Sequence, residues 1–183
     1  MKKKNIVFFM PFIGVGGVEK NLYLVSNYFS QKLDNIFICT GSIKYKNKFH
    51  TKINFLKPKN NLSDKLNIRL RYFYCLLLLF RFILKNKNTI VFCFQANVYC
   101  VVLCKILNIK IIVRCNTSPT GWHHNFIKRY IYKKIISLAD EVITNSLEFK
   151  KEMKINLNIN SKCIYNPLNK KEILKKSKEK TDL

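Results

Sequence analysis

Short, nearly continuous apolar runs recur along this chain, spaced so that one helix fits between successive runs, and that pattern allows few folds. The runs are 5–10 (NIVFFM), 35–40 (NIFICT), 89–94 (TIVFCF), 109–115 (IKIIVRC), 141–144 (EVIT) and 162–165 (KCIY), with a shorter candidate at 52–56. A strand that is apolar on both sides must be covered on both faces, which is how parallel sheets read in sequence. Helical patterns fill the gaps at 18–32, 62–85, 98–107 and 125–138, and another begins over 147–153. Ser63 is placed to cap the second of these. The expected fold is α/β, a doubly wound, mainly parallel Rossmann-like sheet with helices on both faces. Such sheets bind ligands at the carboxyl ends of their strands.

The first strand runs into Pro11-Phe12-Ile13-Gly14-Val15-Gly16-Gly17-Val18-Glu19 and then into a helix. Strand, glycine loop and helix together present backbone N–H groups and a helix N-terminus to an anion, commonly a phosphate. Gly16 and Gly17 are expected to allow positive φ and close ligand approach. Glu19 falls in the first helical turn, where the dipole favours an acid. The full G-x-G-x-x-G fingerprint is absent because Glu19 stands at the third glycine position, and no acid ends the second strand to hold a ribose. An ordinary structural turn is the alternative.

Polar residues follow four later strands: Gln95 and Asn97, on either side of Ala96; Arg114, Asn116, Thr117 and Ser118; Asn145 and Ser146; and Asn166. Each alone could be a cap or turn residue, Asn145 and Ser146 above all. Their recurrence at the ligand end of the sheet makes them binding candidates. His123 and His124 beside Trp122 are candidates for a lid or a base, with an idle surface pair as the alternative.

Charge narrows the partners. The formal net charge is +24, from 34 Lys+Arg against 10 Asp+Glu. A field of that sign draws nucleic acid, anionic membrane or phosphorylated substrates. Arg occurs only at 69, 71, 81, 114 and 129, and the abundance of Lys, Asn and Ile also fits a chain of AT-rich coding origin. Seven cysteines, Cys39, Cys75, Cys93, Cys100, Cys104, Cys115 and Cys163, form no C-x-x-C pair and sit mostly in apolar runs. They read as reduced buried thiols, and no metal site is expected. The most hydrophobic stretch, 72–84, is too short to span a bilayer and carries Arg81.

Three segments in order resemble the N-terminal domain of GT-B glycosyltransferases of family 4, the retaining, nucleotide-sugar-dependent type. GVGGVEK resembles the family's opening Gly-Gly-x-Glu loop at Gly16, Gly17 and Glu19. ISLADEVITNSLEFKKEM resembles its Asp-containing segment through Ala139, Asp140, Val142 and Ser146. KCIYNPLN resembles its closing segment through Ile164, Asn166 and Pro167. Two departures stand out. Asn116, after Arg114, occupies the place where a His often follows the fifth strand, and Asn166-Pro167 replaces the usual Asn-Gly. Both resemble a branch that builds bacterial surface glycans with hexoses or N-acetylhexosamines.

The resemblance implies an acceptor-binding domain over 1–169 and a lysine-rich linker or tail over 170–183, leading toward a donor domain with a Glu-x7-Glu motif that the chain does not contain. It implies that Gly16, Gly17 and Glu19 face the donor diphosphate. Gln95, Asn97, Arg114, Asn116, Ser146 and Asn166 would line the acceptor side. The nucleotide-sugar is a co-substrate, no further cofactor or metal is expected, and no catalytic base is assigned. The acceptor would be a glycan or a lipid-linked glycan in polysaccharide biosynthesis. The chain alone is expected to be inactive, cytoplasmic, and peripheral on the inner face of the cytoplasmic membrane through 65–85, with Lys65, Arg69, Arg71, Arg81 and Lys85 among its apolar residues. The alternative is a non-catalytic basic module that binds nucleotides or nucleic acid. Nucleic acid is the less expected partner, since no recognition motif is present.

Overall fold

The computed structural model describes residues 4–58, 67–116 and 126–168, together with Leu174 and Ser177. The expectations for Ser63, Lys65, Thr117, Ser118, Trp122, His123 and His124, and for nearly all of the 170–183 tail, fall outside these residues.

The elements follow one another as β1 (Asn5–Phe9), α1 (Gly17–Lys32), β2 (Ile36–Cys39), a 3-10 turn (Lys46–Lys48), β3 (Asn54–Leu56), α2 (Ile68–Lys85), β4 (Thr89–Cys93), α3 (Asn97–Ile106), β5 (Lys110–Arg114), α4 (Phe126–Ile136), β6 (Glu141–Thr144), α5 (Leu147–Leu157) and β7 (Lys162–Cys163). The strands form a seven-stranded sheet in the order β3-β2-β1-β4-β5-β6-β7. Every neighbouring pair is parallel. The strand order therefore reverses between β1 and β4, and the crevice at that switch point opens at the carboxyl ends of the strands.

The period-2 alternation of strands sorts the apolar residues into two cores. Val7, Phe9, Val91, Cys93, Ile111, Val113 and Val142 pack with Cys75, Leu79 and Ile83 of α2, Cys100 and Cys104 of α3, Ile136 of α4 and Met153 of α5. Phe8, Met10, Ile36, Ile38, Phe92, Phe94 and Ile143 face the other way and pack with Leu22 of α1 and with Ile13, Phe49 and Ile53. Both sheet faces are thus covered, as the unbroken apolar runs require. Each fully buried Leu or Ile in these layers stabilises the fold by about 1.5–3 kcal/mol. Six of the seven cysteines are buried and all are free thiols.

The second helix starts later than its sequence pattern suggests. Asn67 is its cap: its backbone is extended, and its side chain accepts a hydrogen bond from the Leu70 N–H at 3.0 Å. Helix α2 accordingly begins at Ile68 rather than at 62. Its buried stripe is Arg71, Cys75, Leu79 and Ile83, four residues apart. Arg71 is therefore not one of the surface cations of this helix. It turns inward and stacks over the Phe12 ring, 5.2 Å from its centroid. Gly41 makes this possible, since a Cβ there would lie 2.5 Å from Arg71 Cγ.

Candidate functional site

The loop after β1 is held open across the switch point by a side chain from β4's end. Gln95 Oε1 accepts the Phe12 N–H at 3.0 Å. Within the loop, Glu19 folds back from the first turn of α1, and its Oε1 accepts the Gly14 N–H at 3.3 Å. Its other oxygen closes on Gly16, where an added Cβ would sit 2.8 Å from Oε2. Gly16 is needed for that close approach and not for a left-handed backbone. Its φ is 176°, which is extended, and no described glycine lies in the left-handed region. The expectation of positive φ at Gly16 and Gly17 is corrected accordingly. Gly17 is different again: nothing lies within 4 Å of where its Cβ would be. Neither backbone angle nor packing calls for glycine there, and the space beside it is open.

Gly16 is the cap residue of α1 and supplies no side-chain hydrogen bond. The first-turn N–H groups of a helix have no intrahelical partner, so this N-terminus can receive an anion. The Glu19 carboxylate is an acceptor only and carries negative charge. It shapes the loop by holding the Gly14 N–H, and a phosphate would meet the backbone rather than this side chain.

On the other side of the crevice a second polar group forms around Arg114, the last residue of β5. Its parity with Ile112 places it on the α1 side of the sheet, where its guanidinium lies over Phe94, 5.8 Å from the ring centroid. Only 2% of Arg114 is exposed. Its Nε donates to Asn116 Oδ1 at 3.3 Å and its Nη2 to Asn166 Oδ1 at 2.6 Å. Asn116 is fixed in turn by donating from Nδ2 to the Phe94 carbonyl at 3.0 Å. Asn97 Nδ2 donates to the Arg114 carbonyl at 3.1 Å. The Asn97 Oδ1 atom is enclosed without a hydrogen-bond partner among the described residues. Burial pushes the Arg114 pKa down, but a guanidinium starts from so high a value that it stays charged. The two acceptors holding it are neutral amides.

The backbone between these groups is strained at one point. Ala96 has φ 59° and ψ 37°, in the left-handed region. The two other described non-glycine residues with positive φ, Asn108 and Asn158, carry the side chain that tolerates it best. An alanine held there costs about 1–2 kcal/mol and lies between the two candidate residues Gln95 and Asn97.

The structure thus gathers Arg114, Asn116, Asn166 and Asn97 on one side of the crevice, and Gly16, Gly17, Glu19 and Gln95 on the other. Ser146 takes the plainer role: its Oγ accepts the Phe149 N–H at 3.1 Å and caps α5. Arg71 and Gly41 belong to this end of the molecule and were not among the expected site residues. The signal for Arg71 was its place on the apolar stripe of α2, four residues before Cys75. Asp140 lies at the opposite end of the sheet. Its Oδ2 accepts from Lys105 Nζ and from the Ile111 N–H, both at 2.7 Å. Elsewhere a groove of about 480 Å³ beside edge strand β3 is lined by Phe49, Ile53, Phe55 and His50 among others. It lies away from the strand ends that carry the polar groups.

No protein-family model and no curated protein sequence matches the chain. Solved structures do match it in fold. HepE of Anabaena, in complex with UDP and glucose, superposes with a TM-score of 0.65 at 14% identity, covering 90% of this chain and 45% of that one. A UDP-glucosyltransferase from Polygonum tinctorium capable of glucosylating indoxyl superposes with a TM-score of 0.55 at 13% identity, covering 92% and 53%. UGT2 of Phytolacca americana, complexed with UDP-2-fluoro-glucose and pterostilbene, gives 0.56 at 9% identity, covering 97% and 57%. The chain spans about half the length of the structures it matches. At these identities the likeness is one of fold, a Rossmann-like α/β domain consistent with one half of a GT-B fold.

Proposed function

We propose that this chain is the acceptor-side domain of a nucleotide-sugar-dependent glycosyltransferase. The observation that carries the proposal is the meeting, across the β1/β4 switch point, of an uncapped helix N-terminus behind a glycine loop with the buried Arg114 group. The first suits a diphosphate leaving group, and the second a polar acceptor. Fold neighbours that hold UDP or UDP-sugars support this reading, and the three motif resemblances support the retaining family 4 class. The chemistry is transfer of a hexose or N-acetylhexosamine to a glycan or lipid-linked acceptor in surface polysaccharide synthesis. A second domain holding the nucleotide-sugar would complete the cleft, and this chain alone would not turn over.

In that cleft the α1 N-terminus and the backbone at Gly16 and Gly17 stabilise the negative charge that develops on the departing diphosphate. Glu19 and Gln95 fix the shape of the loop beforehand, so these donors need no rearrangement as the bond breaks. Arg114, Asn116, Asn97 and Asn166 orient the acceptor.

A lipid-linked acceptor calls for a membrane-facing surface. Among the described residues no helix is long and apolar enough to cross a membrane. Helix α2 exposes Ile68, Leu70, Phe73 and Leu84 beside the surface cations Arg69, Arg81 and Lys85. Helix α4 exposes Phe126, Ile127, Tyr130 and Ile131 along a sequence that also carries Lys128, Arg129, Lys133 and Lys134. Neither helix contains an acid. Exposed apolar residues among cations, on helices that carry no acid, fit peripheral binding to an anionic leaflet.

Calorimetric titration of the chain with UDP, and with uridine as the control, tests the donor side. Weak UDP binding that persists at 0.15 M salt (roughly a physiological ionic strength), with none for uridine, is expected. Equal binding of both, or UDP binding that vanishes in salt, would contradict a built diphosphate site.

A further inference from the structure

We infer that the Arg114 pocket is a binding site for an anionic group, a phosphate or carboxylate, carried by the acceptor. The inference rests on the transferase reading for the word acceptor, but the site itself rests on its own geometry. Arg114 is a permanently charged group that is 2% exposed. A buried charge is retained only where it is paired. Here the partners are two neutral amide oxygens, from Asn116 and Asn166. Nη1 meets no acceptor among the described residues. Two acids that the structure pairs with cations lie at the other end of the sheet. Asp140, just before β6, pairs with Lys105, and Glu141, at the start of β6, pairs with Lys162. Glu19 is engaged by the Gly14 N–H. No described carboxylate pairs with Arg114, and its described partners leave the guanidinium able to take an anionic one.

The pocket also has a way in. Asn116 is half-buried and braced by the Phe94 carbonyl, but Asn166 is exposed, on the segment that follows β7. The Asn166 oxygen lies 2.6 Å from Nη2, where an anionic oxygen would sit. A phosphate or carboxylate that displaces this one exposed side chain gains Nη2 and Nη1 together. That is the two-pronged geometry in which guanidinium groups bind such anions. A neutral hexose has no charge to offer and would leave the guanidinium uncompensated. The substrate class that follows is an acceptor bearing a phosphate or a uronic-type carboxylate near the hydroxyl that is glycosylated.

Calorimetry on the full chain at fixed ionic strength tests this, with inorganic phosphate, glucuronate and glucose as probes and Arg114→Gln, Asn166→Asp and, on the exposed face of α5, Lys150→Gln/Lys151→Gln as variants. Phosphate or glucuronate should bind and glucose should not, and whichever of the two anions binds more tightly identifies the acceptor's group. Arg114→Gln should weaken the anion about 10- to 100-fold, and the surface double variant should bind it as the parent does. Asn166→Asp places a tethered carboxylate on Arg114. It should raise Tm and abolish anion binding, which a merely structural bond between strand ends would not do. This variant decides the matter even if Arg114→Gln fails to fold. Anion affinity equal to that for glucose, affinity lost only in the lysine variant, or Asn166→Asp with unchanged anion affinity would each overturn the inference. Anion binding kept while UDP binding fails would sink the transferase reading and leave this site standing; the reverse would remove the site alone.

Discussion

Strand β5 carries a charged cluster at each end, and the two are built on opposite plans. At its amino end, Asp140 accepts from Lys105 and from the Ile111 N–H at 2.7 Å each, and charge meets charge. At its carboxyl end, Arg114 is buried against neutral amides, beside a strained Ala96 and an uncapped helix start. The first cluster is closed: its donors and acceptors satisfy one another, and it clamps the α4–β6 junction to the next strand. The second holds a charge that has no counter-ion among the described residues, and its partners are neutral side chains, one of them exposed. On the proposed reading, one end of the sheet serves stability and the other binding.

The largest expected effect on stability is at the closed end. Asp140→Ala removes a partly exposed ion pair and a charge-assisted bond to the backbone, and should destabilise by about 1–2 kcal/mol in chemical unfolding while leaving UDP and phosphate titrations unchanged. The same residue sets an acid response. Partial burial raises the Asp140 pKa, but the Lys105 and Ile111 N–H bonds outweigh it and hold the value below the ordinary carboxylate range. The folded state therefore binds this proton less readily than the unfolded one. The contribution is complete above the ordinary value and is lost as pH falls through the lowered one. Asp140→Asn should flatten the acid limb of a stability–pH curve, and an unchanged limb would refute the clamp. Ser146→Ala should cost about 1 kcal/mol through loss of the α5 cap, although Ser146 lies at the carboxyl end. If it also weakened anion binding, the division between the two plans would be wrong. Gly17→Ala is the smallest in stability, a few tenths of a kcal/mol in either direction, because its Cβ would enter open space. Its effect should appear in UDP affinity, read by the same titration.

Much of the fold was legible because burial on both faces leaves a direct mark on sequence. Val7 and Phe8 can both be apolar only if both faces of β1 are covered, and the observed strands fall within a few residues of the apolar runs. The start of α2 was not legible from periodicity, since the apolar pattern runs on past the Asn67 cap. Glycine counting showed that a loop would follow β1 but not its conformation. Gly16 turned out to serve a close approach by Glu19, and Gly41 one by Arg71. The candidate residues were individually legible as polar groups at strand ends. What joins them was not: Arg114 and Asn166 are 52 residues apart, and only the β5-β6-β7 order brings them within 2.6 Å. Ser146 illustrates the converse, a strand-end polar residue whose nearest helix absorbs it.

The most direct test of the central claim is a map of backbone amide shifts in the isotope-labelled chain titrated with UDP-glucose at roughly physiological ionic strength. The account predicts perturbations concentrated at Gly14, Gly16, Gly17 and Val18 and at the ends of β4 and β5, with Ile111 and Asp140 unmoved. Shifts scattered over the lysine surface, or centred on the β3 groove, would contradict it.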